Sequence, residues 1–318
     1  MTPEAFGAPL PIARAADLDD APADAAWLID ALWSDEAVGF IGGAPKCCKS
    51  WLGLDMAVSV ASATPCLGRF HVARPGPALV YLAEDSLTNV RARIAALCRQ
   101  REVNLDELDL FVVTAPSLRL DLDEDHARLD ATLRAIRPRF LLLDPLVRMH
   151  RIDENSSADI SQLLGRLRHI QREHHLAIAI VHHMSKRSRA QLGQALRGST
   201  DLHAFSDSAA YLVRKRERIQ LTLEHRSAPA PDPFEIELAG VDDAPHLRCV
   251  DPPVDVPAPS PALDERVRAA LVEADGPLTR AALREHLRVN NQRLGDALEG
   301  LAARGLVRRT PDGWRAPS

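Results

Sequence analysis

Gly43, Lys49 and Ser50 stand at the spacing of a phosphate-binding loop, in which Gly, four residues, Gly and Lys precede Ser or Thr. Cys48 occupies the position of the second glycine and is the one departure from the pattern. The apolar run 37–41 predicts a buried strand before the loop, and the apolar spacing of 51–61 predicts a helix after it. Backbone N–H groups at such a junction can hold phosphate oxygens, helped by the positive end of the helix dipole. The alternative is a glycine-rich turn that happens to precede Lys and Ser.

This loop predicts a site for a nucleoside triphosphate. Lys49 would reach the β and γ phosphates, and Ser50 would offer its hydroxyl to Mg2+, which prefers octahedral oxygen ligands shared with the phosphates. We therefore predict ATP and Mg2+ as the bound groups. The predicted nucleotide contacts along the loop are Gly43, Ala44, Pro45, Lys46, Cys47, Cys48, Lys49 and Ser50.

The adjacent cysteines of the loop, Cys47 and Cys48, raise two further expectations. If residue 48 needs a positive φ, a Cβ there costs about 1–2 kcal/mol, and nucleotide affinity suffers. Thiols near a helix N-terminus and beside lysines also suggest redox control, since that setting favours thiolates. The alternative is that both cysteines are simply small side chains.

Two more apolar runs end in carboxylates, as expected where a parallel sheet binds its ligand at the carboxyl ends of its strands. The run 141–143 leads into Asp144, a predicted ligand of Mg2+. The run 78–82 leads to Glu84, which we expect to act as the general base for the attacking water. Asp85 is expected to cap the helix that follows. A chance Asp at the end of an apolar strand is the alternative for Asp144.

Two histidines and a basic segment follow the strand predicted at 176–181. His182 and His183 are placed to sense the γ phosphate and report its loss to the next loop. A metal site there is less favoured, because no third ligand has convincing spacing. The segment 186–198 has no acidic residue, which suggests contact with nucleic-acid phosphates, the alternative being a solvated surface loop. Its cations are Lys186, Arg187, Arg189 and Arg197.

Composition excludes several classes. The chain has 318 residues, 46% of them apolar and 26% charged, enough for one large core and a smaller one. No apolar run is long enough to span a membrane, and the acidic N-terminal segment lacks the features of a signal peptide. Five cysteines without metal-ligand spacing suit a reducing compartment, so we expect a soluble, cytoplasmic protein without a membrane partner. The net charge of −5 argues against a protein coated in nucleic acid, although local basic patches remain open.

Apolar strands alternate with helical stretches up to residue 181, which predicts an α/β fold with a mainly parallel sheet and helices on both faces. Further strands at 209–213, 219–223 and 234–238 follow without helices between them and predict an antiparallel extension. The helices are expected at 87–100 and 158–174, with more strands at 110–113 and 140–143. Four segments result: a lead-in at 1–35 with a short helix at 25–32, a domain at 36–250, a proline-rich linker at 251–261 and a small domain at 262–318.

The last segment has the pattern of a winged helix-turn-helix. Helices are expected at 263–273, 280–287 and 291–304, followed by a two-stranded wing around a Pro-Asp-Gly turn. Asn291 and Arg293, at the start of the third helix, would contact DNA. Ten arginines against eight acidic residues give the segment a modest basic balance. Protein contact is the alternative, since such domains also serve that role.

The order of these motifs resembles that of the RecA-like ATPases of the RepA type, hexameric replicative helicases of plasmids, phages and other mobile elements. The resemblance covers about residues 25–240. It implies that Trp51, directly after the loop, also contacts the nucleotide. The stretches that carry it are 42–51, 81–85, 142–148, 182–186 and 197–201.

This resemblance implies a RecA-like fold and a homo-oligomeric ring, with each nucleotide between two subunits and single-stranded DNA in the centre. A neighbour's Lys-x-Arg pair completes each site in such rings, the arginine serving as a finger. Here the late strand reads Leu223-Glu224-His225-Arg226, so the lysine is replaced by Glu224 and Arg226 is the candidate finger.

These patterns predict an ATP-dependent DNA-translocating ATPase, with duplex DNA as a further partner of the winged helix. Two other functions remain open. One is a RecA-like ATPase that binds DNA without unwinding it. The other is a DNA-binding regulator whose phosphate loop has decayed through Cys48.

Overall fold

The structure is a computed structural model, and it describes residues 12–17, 27–154, 156–183, 201–216, 218–240, 243–250, 263–274, 276–287 and 291–316. The chain divides into two compact units, Met1–Val254 and Asp255–Ser318. Within the described residues, none of the helices is both long and apolar enough to cross a membrane. The predicted linker at 251–261 lies outside these ranges.

The first described strands form a hairpin, which corrects the helix predicted at 25–32. β1 (Trp27–Ile29) pairs antiparallel with β2 (Trp33–Ser34). Loop 71–73 supplies partners for the backbone of this segment, since Asp30 N donates to the His71 carbonyl and Ala73 N donates to the Leu28 carbonyl. These distant partners outweigh the local apolar spacing.

A nine-stranded sheet forms the centre of the first unit in the residues that the structure describes. Its strands are β3 (Val38–Gly43), β4 (Ala78–Leu82), β5 (Leu110–Val112), β6 (Phe140–Asp144), β7 (Ala177–His183), β8 (Ser208–Lys215), β9 (Arg218–His225), β10 (Phe234–Ala239) and β11 (His246–Cys249). Their order across the sheet is β11-β10-β9-β8-β3-β7-β6-β4-β5. Neighbours from β8 to β5 run parallel, while β8, β9, β10 and β11 pair antiparallel.

Helices cover both faces of this sheet. They are α1 (Lys49–Ser62), α2 (Leu87–Gln100), α3 (Asp123–Ile136), α4 (Ser157–His174) and the short α5 (Asp201–Phe205). Alternate residues of each central strand point to opposite faces, so Leu142 packs with α1 and α2 while Leu141 packs with α3 and α4. This arrangement confirms the predicted RecA-like sheet with its antiparallel extension. The sequence did not predict α3, α5 and β11.

The second unit contains α6 (Leu263–Glu273), α7 (Arg280–Leu287), α8 (Asn291–Ala303), β12 (Arg308–Thr310) and β13 (Gly313–Arg315). Its own core includes Val267, Leu283, Leu294 and Leu298. β12 and β13 pair antiparallel, and Leu278 forms a bridge to Trp314 next to them. The assignment of this unit as a winged helix-turn-helix stays a prediction.

Candidate nucleotide site

The phosphate-loop residues connect β3 to α1. Gly43 ends β3, where a Cβ would lie 2.7 Å from the Leu212 carbonyl oxygen and 2.5 Å from Cys47 Sγ, so this position requires glycine. Lys49 opens α1 and is almost fully buried. Its Nζ donates to the Ala44 carbonyl at 2.9 Å, so the ammonium group lies over the loop. The predicted strand, loop and helix are all present at this junction.

Cys48 adopts the left-handed conformation that glycine favours. Its φ is 66° and its ψ is 25°, and Lys46 also has a positive φ, of 62°. A side chain in this region costs about 1–2 kcal/mol per residue. The loop thus keeps the backbone shape that a second glycine would give, at a conformational cost.

The two loop thiols differ from reactive cysteines. Cys47 Sγ is buried and lies 2.8 Å from the Ala44 carbonyl oxygen. Burial raises the pKa of both Cys47 and Cys48, and it outweighs the opposing effects of Lys49 on Cys47 and of Arg214 on Cys48. A raised pKa lowers the thiolate fraction, which argues against redox control of this loop.

Asp144 ends β6 beside the loop and is 6% exposed. Burial raises its pKa to about 6; the Ser50 hydroxyl opposes the shift through a hydrogen bond, and Asp85 adds to it. Its Oδ2 atom is buried and has no hydrogen-bond partner in the described part of the chain. A buried carboxylate oxygen next to a serine hydroxyl fits the one or two protein oxygens that Mg2+ takes beside phosphates. In the same residues no group of three or more His, Cys, Asp or Glu side chains could hold a metal alone.

Glu84 and Asp85 follow β4, whose Leu82 pairs with Asp144. Glu84 is half-exposed, and its Oε1 accepts from Arg148 Nε at 2.7 Å. The expectation that Asp85 caps α2 is wrong, because the Ser86 side chain is the cap and accepts from Asn89 N. Asp85 instead pairs with Arg93, at 2.7 Å between Oδ2 and Nη1.

The histidine pair ends β7, next to β3. His182 pairs in register with Gly42, and His183 pairs with Gly43. His182 is 2% exposed, with its ring 5.9 Å from that of Phe40, whereas His183 is partly exposed. The register places both beside the phosphate loop, and their role as γ-phosphate sensors stays a prediction.

Arg226 follows β9 at the opposite end of the sheet. His225 pairs with Ser208, and Ser208 pairs with Gly39, whereas the phosphate loop begins after Gly43. The Arg226 guanidinium lies 3.1 Å from Asp207 Oδ1. Its position excludes contact with the phosphate loop of the same subunit, so a role as a finger requires a neighbouring chain.

The predicted DNA contacts are described only in part. Lys186, Arg187, Arg189 and Arg197 lie outside the described residues. Asn291 and Arg293 belong to the first turn of α8. Their role in binding DNA stays a prediction.

Arg214 and Arg93 are neighbours of the loop that sequence reasoning missed. Arg214 Nη2 donates to the Lys46 carbonyl at 3.1 Å and lies 3.8 Å from Cys48 Sγ. Arg93 lies with its guanidinium carbon 5.6 Å from the centre of the Trp51 ring, close enough for a cation–π contact. Only the pairing of β8 with β3 could have indicated Arg214, since no local motif contains it.

The sheet, the loop and the carboxylates at the strand ends define a RecA-like P-loop ATPase domain. Residues 3–189, more than half of the chain, match the AAA_25 family model, described as an AAA domain. The chain therefore belongs to that family.

Two solved structures show the same fold. One is an isolated ATPase domain with 13% sequence identity and a TM-score of 0.50, the match covering 65% of this chain and 83% of that one. The other, a DnaB-like replicative helicase solved with its interactions with primase, has 12% identity and a TM-score of 0.51. That match covers 67% of this chain and 57% of the helicase.

Proposed function

We propose that this protein is an ATP-dependent DNA-translocating ATPase of the RepA type, which hydrolyses ATP with Mg2+ between the subunits of a ring. The observation that carries this proposal is the meeting of three groups at one sheet edge. They are the loop from Gly43 to Ser50, the buried Asp144 at the end of the next strand but one, and Glu84 beside it.

In this proposal, different residues of the site bind the metal, neutralise charge on the phosphates and accept the proton. Ser50 and Asp144 would hold Mg2+, which when bound neutralises charge on the β and γ phosphates. Lys49 would add a second positive charge to the same oxygens. Glu84 would accept a proton from the water whose oxygen attacks the γ phosphorus. The bond from that phosphorus to the bridging oxygen then breaks, so that ADP and inorganic phosphate leave.

Assembly would complete each site from a neighbouring chain. Arg226 lies at the sheet end away from its own loop, which supports action in trans, on the next subunit of a ring. His182 and His183 would report loss of the γ phosphate to the segment after β7. Its cations, Lys186, Arg187, Arg189 and Arg197, would then move single-stranded DNA through the ring.

The domain organisation proposed for this activity is an ATPase domain at 36–250 and a winged-helix domain at 262–318. The second would bind duplex DNA through Asn291 and Arg293 and hold the ring near its substrate. Its three helices and two-stranded sheet support this assignment.

The left-handed Cys48 favours two other candidates, a RecA-like ATPase that binds DNA without unwinding it and a DNA-binding regulator whose phosphate loop has decayed and that hydrolyses no ATP. A side chain at this position makes the phosphate-binding conformation of the loop less stable than glycine would, which favours slow turnover over fast turnover.

Fork unwinding separates these candidates. Wild type and Glu84→Gln would be compared for ATP turnover with and without single-stranded DNA, and for opening of a labelled fork with ATP and Mg2+. A translocating helicase shows stimulated turnover and opens the fork, and Glu84→Gln loses both. Stimulated turnover without opening would support the non-unwinding ATPase, and duplex binding without turnover would support the regulator.

A further inference from the structure

Arg214 is the basic residue of β8 that reaches the phosphate loop. β8 runs parallel to β3, and Leu212 pairs with Gly43, the last residue of β3. Arg214 lies two residues further along, where β3 has already passed into the loop. Its Nη2 donates to the Lys46 carbonyl at 3.1 Å and lies 3.8 Å from Cys48 Sγ.

These two contacts fall on the strained residues of the loop. Lys46 and Cys48 are its non-glycine residues with positive φ, at 62° and 66°. Backbone strain of this kind persists only where surrounding contacts hold it in place. Cys47 Sγ and Lys49 Nζ both contact the Ala44 carbonyl and hold the first half of the loop. Arg214 is the corresponding contact for the second half.

An arginine suits this task better than a lysine. Its planar guanidinium presents several N–H donors in a fixed arrangement, whereas an ammonium group is a flexible point charge. Both contacts of Arg214 come from one nitrogen, Nη2, and the guanidinium plane fixes the direction of its two N–H groups toward the carbonyl and the sulfur atom. Arg214 is also exposed, so its contacts add order to the loop without the cost of burying a charge.

We infer that Arg214 is a positioning residue for the phosphate-binding loop, and that it compensates for the cysteine at the position where glycine is expected. Glycine would adopt the left-handed conformation unaided, and Cys48 needs the Arg214 contact to keep the loop N–H groups directed at phosphate. This inference rests on the proposed nucleotide site and concerns affinity, not the chemical step.

A double-mutant cycle on the full-length protein tests the inference. The dissociation constant of a fluorescent ATP analogue would be measured for wild type, Arg214→Ala, Cys48→Gly and the double variant. Lys215→Ala, which removes an exposed charge from the next position of β8, is the matched control. Arg214→Lys separates charge from geometry, and thermal unfolding without nucleotide shows whether each variant is folded.

Arg214→Ala is expected to weaken binding about tenfold in wild type, the equivalent of one charge-assisted hydrogen bond, and less than about threefold in Cys48→Gly. Arg214→Lys should resemble Arg214→Ala, and Lys215→Ala should stay within about twofold of wild type.

Equal losses in both backgrounds, or no loss in wild type, would overturn the inference and leave the proposed function intact. Rescue by Arg214→Lys would overturn it too, because charge alone would then suffice. A folded wild type that binds no ATP analogue would overturn the proposed function and this inference together.

Discussion

Burial at a single residue sets the acid–base behaviour of Asp144. Its pKa is raised to about 6 from 3.8, chiefly because the carboxylate is taken out of water. The folded chain therefore binds more protons than the unfolded chain between these two pH values, and stability falls as pH rises through that window. A bound cation would offset this loss of stability, because it would neutralise the buried carboxylate. This behaviour is expected of a metal ligand that is shielded from water.

Asp144→Asn removes this pH dependence. Without metal, the free energy of unfolding of the variant should rise relative to wild type by up to about 3 kcal/mol between pH 4 and pH 7. Urea denaturation in EDTA at several pH values measures the difference. A difference that does not change with pH would show that burial of Asp144 does not shift its titration.

At the scale of the elements, a buried ion pair joins α1 to the residue that follows α2. Asp55 of α1 is fully buried, and its Oδ2 lies 2.8 Å from Nη2 of Arg101, the residue after α2. Asp55 Oδ1 also accepts from Leu67 N at 2.8 Å and contacts Cys66 Sγ. One carboxylate thus fixes the turn after α1 and the end of α2.

Asp55→Ala should lower the free energy of unfolding by about 3–5 kcal/mol, because it leaves the Arg101 charge buried without its partner. The control is Arg148→Ala, which breaks the exposed pair with Glu84 and should cost less than about 1 kcal/mol. Urea denaturation of both variants at pH 7 gives the two values. Equal costs would contradict the assignment of Asp55 as the buried anchor.

The sequence predicted elements well where local pattern and packing agree. The strand expected at 78–82 and the helix at 87–100 occur with those bounds, because β4 is apolar throughout and α2 begins at a Ser cap. The helix predicted at 25–32 is wrong, because loop 71–73 forms hydrogen bonds with the backbone of Leu28 and Asp30. The position of Arg214 also depends on residues that are distant in the sequence. Only the pairing of β8 with β3 brings it to the phosphate loop, so no local pattern could predict it.

The site residues that could be predicted are those next to a clear local pattern. The loop directly follows the apolar run of β3, and Asp144 ends the apolar run of β6. The partners of Glu84 and Asp85, Arg148 and Arg93, come from other elements and depend on side-chain packing. The roles of His182, His183 and Arg226, the second domain and the cytoplasmic location stay predictions.

At the scale of the whole molecule, the phosphate loop and Arg226 lie at opposite ends of the sheet in the first unit. The loop lies at the carboxyl end of β3. A head-to-tail interface between copies would bring these two ends together in each site, and repeated around an axis it would close a ring.

Mixing two inactive variants tests this arrangement. Lys49→Ala and Arg226→Ala should each hydrolyse little ATP alone. Mixed in equal amounts before assembly, they should recover about a quarter of wild-type turnover, because that share of interfaces joins an intact loop to an intact Arg226. No recovery from a mixture that co-assembles would contradict action in trans.

The second unit carries a separate prediction for duplex DNA. Arg293→Ala should weaken duplex binding by about 1–3 kcal/mol while leaving ATP turnover without DNA unchanged. Fluorescence anisotropy with a labelled duplex at two salt concentrations measures the loss. Unchanged duplex affinity would favour a protein-contact role for this unit.

ATP turnover by the wild type, Lys49→Ala and Glu84→Gln, with nucleotide binding measured in parallel, tests the central claim most directly. Turnover should fall at least about a hundredfold in both variants, while Glu84→Gln still binds ATP, because its loop and Asp144 are intact. Wild-type turnover that survives Lys49→Ala would contradict a nucleotide site in this loop.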